Sequence, residues 1–183
     1  FKDLPKPLVD ALIATEDERF YQHSGIDVRG TMRALFFLGT KGGASTISQQ
    51  LAKQLFHKTK TRGLQRYTQK IKEWVIATRL ERQYTKEEIL AMYFNIYDFN
   101  NNADGIRSAA RIYFGKEPKD LKIEEGAMLL GMFKNSALYN PLKNKEGVTN
   151  RRNVVLSQMA KNNYITQEEK DSLQALPLKI KYT

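Results

Sequence analysis

The amino-acid sequence predicts an all-α protein, and three observations support this. Apolar residues recur at three- and four-residue intervals, and no segment alternates apolar and polar side chains as a half-buried strand does. Two segments, Thr85-Lys86-Glu87-Glu88 and Thr166-Gln167-Glu168-Glu169, have the form of a capping box that starts a helix. With 183 residues, 41% of them hydrophobic and 27% charged, the chain is suited to fold as one domain around a core.

The first predicted helix runs from about Lys6 to Asp17. Its apolar stripe contains Val9, Leu12 and Ile13, and helical spacing puts Glu16 on the same stripe. A carboxylate beside an apolar helix face is therefore the first candidate for chemistry.

The other helices follow in order along the chain. A second, at about 28–38, ends in an apolar run before the glycine-containing loop 39–43, and Ser45 or Thr46 is placed to cap a third that reaches Phe56. Asn140-Pro141 predicts a turn between two later helices. The remaining helices are predicted at about 64–83, 85–96, 104–113, 123–133, 149–162 and 166–176.

Basic residues are concentrated in one quarter of the chain. The net charge is +10, and the stretch from Val28 to Lys72 contains no acidic residue. Such a concentrated charge predicts an anionic partner, either nucleic acid, anionic lipid or a phosphorylated substrate. The basic residues in this stretch are Arg29, Arg33, Lys41, Lys53, Lys58, Lys60, Arg62, Arg66, Lys70 and Lys72.

Composition excludes several other classes. The chain has no cysteine, so it has neither a disulfide scaffold nor thiolate metal ligands, and His23 and His57 lack the spacing of a zinc site. No apolar stretch approaches the roughly 20 residues that cross a bilayer. The start, Phe1-Lys2-Asp3-Leu4-Pro5, lacks an initiator Met and a signal-peptide layout, which predicts a fragment of a longer chain.

Three segments carry candidate chemistry, each with a structural alternative. Glu16 begins the first, where apolar surroundings suit proton transfer, although an acid at a helix end is more commonly solvated. The second, Gly42 to Lys53, offers backbone N–H groups to phosphate but lacks Walker spacing, and it is equally typical of a capped helix with a polar face. The third is a polar helix face with Lys70 and Glu73, a spacing that more often gives an exposed salt bridge.

In this order the three segments resemble the peptidoglycan glycosyltransferases, glycosyltransferase family 51, of class A penicillin-binding proteins and monofunctional transglycosylases. The third family motif, Arg-Lys-x-x-Glu, is matched at Lys70 and Glu73, but Gln69 stands where arginine is usual, and Arg66 or Arg62 is placed to compensate. The first motif, Glu-Asp-x-x-Phe-x-x-His-x-Gly, is matched by Glu16, Asp17, Phe20, His23 and Gly25, and the second, Gly-x-Ser-Thr-Ile-x-Gln-Gln-x-x-Lys, by Gly43, Ser45, Thr46, Ile47, Gln49, Gln50 and Lys53.

The resemblance implies a lysozyme-like helical lobe with a small membrane-facing jaw at about 26–62, all within one domain over 1–183 cut from a membrane-anchored chain. It implies polymerisation of lipid II, with Glu16 as the catalytic base and Glu73 as a second catalytic residue that orients cations or helps to hold Mg²⁺ or Mn²⁺. No organic cofactor is implied. The substrate and its pyrophosphate are expected at Asp17, Ser45, Thr46, Gln49, Gln50, Lys53, Arg66 and Lys70.

The partners implied are lipid II, the growing lipid-linked strand, the membrane surface and a transpeptidase domain in cis or in trans, at the extracytoplasmic face of a bacterial cell membrane. Nucleic acid is not among them. Three alternatives stay open at this point: a lysozyme-like glycan hydrolase, a nucleic-acid-binding module that would explain the charge, and a structural module that only docks on membranes.

Overall fold

The computed structural model describes residues 3–36, 45–56 and 63–182, and in these ranges the protein is helical, with no β-strand. The predicted all-α fold class is confirmed. Two short 3₁₀ turns, Phe20–Gln22 and Pro118–Asp120, accompany the α-helices. The helices of the described part are α1 Lys6–Glu16, α2 Val28–Phe36, α3 Ile47–Phe56, α4 Leu64–Gln83, α5 Lys86–Ile96, α6 Gly105–Phe114, α7 Ile123–Met132, α8 Lys145–Lys161 and α9 Gln167–Gln174.

Local signals in the sequence set most helix starts. Both predicted capping boxes form: the Thr85 hydroxyl accepts from the Glu88 N–H at 3.2 Å, and the Thr166 hydroxyl accepts from the Glu169 N–H at 3.1 Å. The start of α8 is four residues earlier than the predicted 149. The reason is a further cap, because the Asn144 side chain accepts a hydrogen bond from the Gly147 N–H at 2.9 Å.

The described chain divides into two compact units. The first combines the residues up to Glu18 with those from Phe94 onward, and the second runs from Arg19 to Tyr93. The second unit contains the stretch 26–62 expected to form a jaw, and the boundaries of such a jaw stay a prediction.

In the first unit, α7 is the central helix. It packs against α1, α6, α8 and α9, and every residue from Gly126 to Met132 is buried. An aromatic cluster lies at the end of α5 and just after it, where Phe94, Tyr97 and Phe99 pack against Phe133. Helix α1 packs in this unit against α7 and α8.

In the second unit, α3 packs against α4 and buries Ile47, Leu51 and Ala52. The apolar residues Val28, Met32 and Phe36 of α2 are exposed. They are spaced about one turn apart and so lie on one side of the helix. Phe37, Leu38 and the glycine loop, which the sequence joined to this stretch, lie outside the described residues. No helix of the described part combines the length and the hydropathy needed to cross a bilayer.

Candidate active site

The first motif begins where α1 ends. Glu16 is the last residue of the helix, and Asp17 follows it as the C-cap. The Asp17 N–H still donates to the Ile13 carbonyl at 3.1 Å, so the helical hydrogen bonding continues past Glu16. Leu12 and Ile13 are buried, which confirms that Glu16 borders an apolar stripe. The Glu16 side chain is only 15% exposed, and Arg151 Nη2 lies 3.9 Å from its Oε1. Sequence analysis did not select this arginine.

The rest of the first motif lies in the second unit and has a structural role there. The Nδ1 atom of His23 accepts from the Gly25 N–H at 3.2 Å, and its ring packs edge-on against Phe20. Gly25 has φ of +98°, and a Cβ there would lie 2.9 Å from backbone atoms of Ala77 on α4. His23 is therefore a packed, hydrogen-bonded residue, and Gly25 permits a close approach to α4.

The second motif starts α3 through a reciprocal cap. The Thr46 hydroxyl accepts from the Gln49 N–H at 3.1 Å, and Gln49 Oε1 accepts from the Thr46 N–H at the same distance. The Thr46 hydroxyl also donates to the Gly25 carbonyl at 2.7 Å, which ties the first motif to the second. Both cap residues are buried. Of the two caps expected, Thr46 is the one used.

The other residues of the second motif differ in exposure. Gln50 is held by the buried Tyr93, whose hydroxyl donates to Gln50 Oε1 at 2.7 Å. Lys53 is exposed, so its ammonium is open to an anion. Gly42, Gly43 and their N–H groups lie outside the described residues.

The third motif joins the second through Lys70. Its Nζ atom donates to the Ser45 hydroxyl at 2.8 Å and to Glu73 Oε2 at 3.1 Å. Gln69 Nε2 donates to the other Glu73 oxygen at 3.3 Å. We call Ser45, Gln69, Lys70 and Glu73 the Lys70 cluster. The Lys70 ammonium is held by these bonds and its side chain is partly exposed, so it is suited to stabilise a developing negative charge.

The exposure of α4 corrects one expectation. Lys70 and Glu73 were both expected on a solvated polar face, but Glu73 is only 4% exposed. Two apolar residues of the same helix, Tyr67 and Ile71, are exposed. Arg66 is exposed one turn before the cluster, while Arg62 lies outside the described residues.

A second polar network was missed by sequence analysis. Glu81 Oε1 accepts from the Ser48 hydroxyl at 2.6 Å and from Lys86 Nζ at 2.8 Å. The same Lys86 ammonium donates to the His23 carbonyl and lies 4.2 Å from the centre of the Phe20 ring. Lys86 thus fastens the first motif to α4 and α5. Its position inside a capping box was the visible signal, and nothing in the spacing indicated the longer contacts.

The described residues do not by themselves build a metal site. Within the ranges the structure covers, no three or more His, Cys, Asp or Glu side chains group to hold an ion. Both Glu73 oxygens already accept hydrogen bonds from Lys70 and Gln69. A divalent cation here would therefore depend on oxygen atoms of a bound phosphate, an arrangement common for Mg²⁺.

Comparison with known proteins finds relatives of this chain by sequence and by fold. The sequence profile of the transglycosylase family matches residues 1–160. Penicillin-binding protein 1A of Vibrio cholerae is 42% identical over 99% of the chain and 22% of that protein, and its Escherichia coli K12 counterpart is 42% identical over 98% and 21%. The crystal structure of penicillin-binding protein 1A from Haemophilus influenzae superimposes with a TM-score of 0.60 at 25% identity, covering 100% of this chain and 18% of that one.

The helical fold and the three matched motifs define the class of peptidoglycan glycosyltransferases. The chain belongs to the transglycosylase family, which confirms the resemblance inferred from the motifs. It spans about a fifth of the length of the curated relatives it matches.

Proposed function

We propose that this chain polymerises lipid II into β-1,4-linked glycan strands with inversion and releases undecaprenyl pyrophosphate. The observation that carries the proposal is the Lys70 cluster, in which one ammonium bonds both the Ser45 hydroxyl and the buried Glu73 carboxylate. In a chain of this family, a cation fixed in this way provides a place for the departing pyrophosphate.

Glu16 is the proposed base. Its carboxylate takes the proton from the 4-hydroxyl of the acceptor sugar, whose oxygen attacks the anomeric carbon of the donor. The bond from that carbon to the pyrophosphate oxygen breaks, and the pyrophosphate leaves with the bonding electrons. Glu16 then returns its proton to water, which restores the base for the next addition.

The leaving group needs stabilisation rather than protonation. Lys70 is held in place by Ser45 and Glu73 before substrate arrives, so little reorganisation accompanies the departure of the phosphate. The exposed Lys53 and Arg66 are proposed to extend this cationic surface. In this proposal Thr46, Gln49 and Gln50 position the start of α3 along the substrate path, and Asp17 contacts the substrate beside the base.

A divalent cation stays a prediction. Mg²⁺ or Mn²⁺ bound to the pyrophosphate would add positive charge to that of Lys70, with Glu73 as the nearby carboxylate. No step of the proposed reaction passes through the metal.

The cellular setting is also a proposal. The matched relatives are named penicillin-binding proteins, and this chain covers about a fifth of their length. We propose that it works at the extracytoplasmic face of a bacterial membrane together with a transpeptidase domain in cis or in trans. The basic quarter of the chain would then bind lipid pyrophosphate and anionic lipid rather than nucleic acid.

The test supplies purified lipid II to the full-length protein and follows strand length by gel or chromatography. Strands should lengthen with lipid II and not with the same disaccharide lacking pyrophosphate. Glu16→Gln keeps the shape of the side chain and removes the base, so it should lower the rate by roughly 10²-fold or more. Near-normal polymerisation by a folded Glu16→Gln protein would remove Glu16 from the mechanism.

A further inference from the structure

Glu16 has a charged neighbour within its own unit. Arg151 of α8 reaches towards the end of α1, with Nη2 at 3.9 Å from Glu16 Oε1. The two side chains are 14% and 15% exposed, so water screens their interaction less than it screens a surface ion pair.

The packing of α7 makes room for this arginine. A Cβ on Gly131 would lie 2.9 Å from Arg151 Cγ, so a larger residue at that position would push the arginine stem aside. Helices α1, α7 and α8 pack against one another in pairs. The guanidinium is therefore set in place by three helices rather than by a loop.

Neighbouring arginines on α8 are bonded very differently. Arg152 is fully buried, and its guanidinium donates to the Asn153 side chain and to the carbonyls of Gln174 and Leu176. Arg152 therefore anchors the end of α9. The Nε atom of Arg151, by contrast, is buried and has no hydrogen-bond partner among the described residues.

A buried N–H group without a partner is unfavourable for folding, so stability alone does not explain Arg151. What the residue does supply is a positive charge beside Glu16. The 3.9 Å distance from Arg151 Nη2 to Glu16 Oε1 is longer than in a two-point Arg–carboxylate pair, in which both carboxylate oxygens are engaged at about 2.8 Å.

We propose that Arg151 is a positioning residue for Glu16, which keeps the carboxylate ionised and oriented towards the acceptor hydroxyl. The inference rests on the proposed role of Glu16 as the base. An ionised carboxylate is required before it can take a proton, and a nearby cation favours the ionised form.

Tyr97, which interacts electrostatically with Glu16, supplies no positive charge. Burial is the main reason why the pKa of Tyr97 is raised to about 12, so its hydroxyl stays neutral across the working range. Where α7 faces α1, its last turns carry apolar residues and Gly131. Asp17 is adjacent on the chain and is unchanged in every variant below. Lys161 of α8 is 3.9 Å from Glu18, which makes that pair a control matched in distance.

The test is the pH dependence of kcat/KM for lipid II, measured with the full-length protein. A base must be deprotonated, so the rate falls as pH drops through its titration. Without the Arg151 charge, protonation of Glu16 becomes easier. In Arg151→Gln the acidic side of the pH–rate profile, called the acid limb here, should therefore move to higher pH by roughly one unit. Arg151→Lys restores the charge and should return the limb towards its original position, while Lys161→Ala should leave it unmoved.

A double variant separates this inference from the function on which it rests. If Arg151 acts through Glu16, then Arg151→Gln should have little further effect in a Glu16→Gln background. An inactive Glu16→Gln protein combined with an unmoved acid limb in Arg151→Gln would overturn the role of Arg151 and leave the base assignment standing. A limb displaced equally in the lysine and glutamine variants would also overturn it. Should thermal melting show that Arg151→Gln is unfolded, Arg151→Met, whose apolar chain suits a buried stem, gives the same neutral comparison.

Discussion

Glu73 is a buried carboxylate on a helix that is otherwise largely exposed. Removing a charge from water is costly unless opposite charges and hydrogen bonds replace the lost solvation. Lys70 supplies the charge and Gln69 a second donor, one on each Glu73 oxygen. Each member of the Lys70 cluster is thus held by another member.

We expect Lys70→Ala and Glu73→Gln each to lower polymerisation by roughly 10²-fold, because a positioned cation at the leaving group is lost or released from its partner. Lys70→Ala should also lower the melting temperature, since it leaves Glu73 buried without its cation. Rates with lipid II and thermal melts measure both effects.

The pair of the exposed Lys6 with Asp10 provides the control. Lys6→Ala also removes a lysine from a helical ion pair, but should change neither rate nor melting temperature appreciably. Gln69→Ala removes one hydrogen bond and no charge, so its loss of rate should stay below about tenfold. Wild-type rates in both Lys70→Ala and Glu73→Gln would return this pair to a purely structural role.

At the scale of elements, α2 presents an apolar stripe to solvent. Val28, Met32 and Phe36 are exposed at successive four-residue steps, and Arg29 and Arg33 lie between them on the helix. Apolar insertion and charge attraction act together on an anionic bilayer, which makes α2 a suitable membrane contact.

We expect Met32→Ser combined with Phe36→Ser to reduce flotation of the full-length protein with anionic liposomes and to slow polymerisation of membrane-embedded lipid II. Activity on detergent-solubilised lipid II should change less, because the proposed chemical groups are untouched. Leu138→Ser, at an exposed apolar residue of the first unit, is the control. Unchanged flotation and unchanged activity on membranes would show that α2 is not a membrane contact.

For the whole molecule, we expect strand building rather than strand cutting. A hydrolase of this kind commonly uses two carboxylates, one of which donates a proton to the leaving sugar oxygen. Both Glu73 oxygens accept hydrogen bonds, one from Lys70 Nζ and one from Gln69 Nε2, so this carboxylate is engaged by donors rather than placed to protonate a sugar oxygen.

The lysozyme-like alternative is less supported by the family match, and a direct experiment separates the two. Preformed, lipid-free glycan should keep its length in the presence of the protein under conditions that polymerise lipid II, whereas added lysozyme should shorten it. Release of short fragments that depends on Glu16 would support the hydrolase instead.

The helices and the motifs could be predicted from the sequence alone, because both depend on residues close together in the chain. A threonine followed three residues later by a glutamate starts a helix through contacts within one turn, as at Thr85 and Thr166. The order and spacing of the three motifs likewise identified the family without any fold.

Which helix faces are covered and which charges meet depends on tertiary packing and could not be predicted from the sequence. Periodicity marks two faces of α4, yet packing against α3 buries Glu73 and leaves Tyr67 exposed. Arg151 lies far from Glu16 in the chain, and no spacing rule relates them. Their approach depends on the packing of α1, α7 and α8 and on the space left by Gly131, because burial and long-range charge pairing are properties of neighbours in space rather than in sequence.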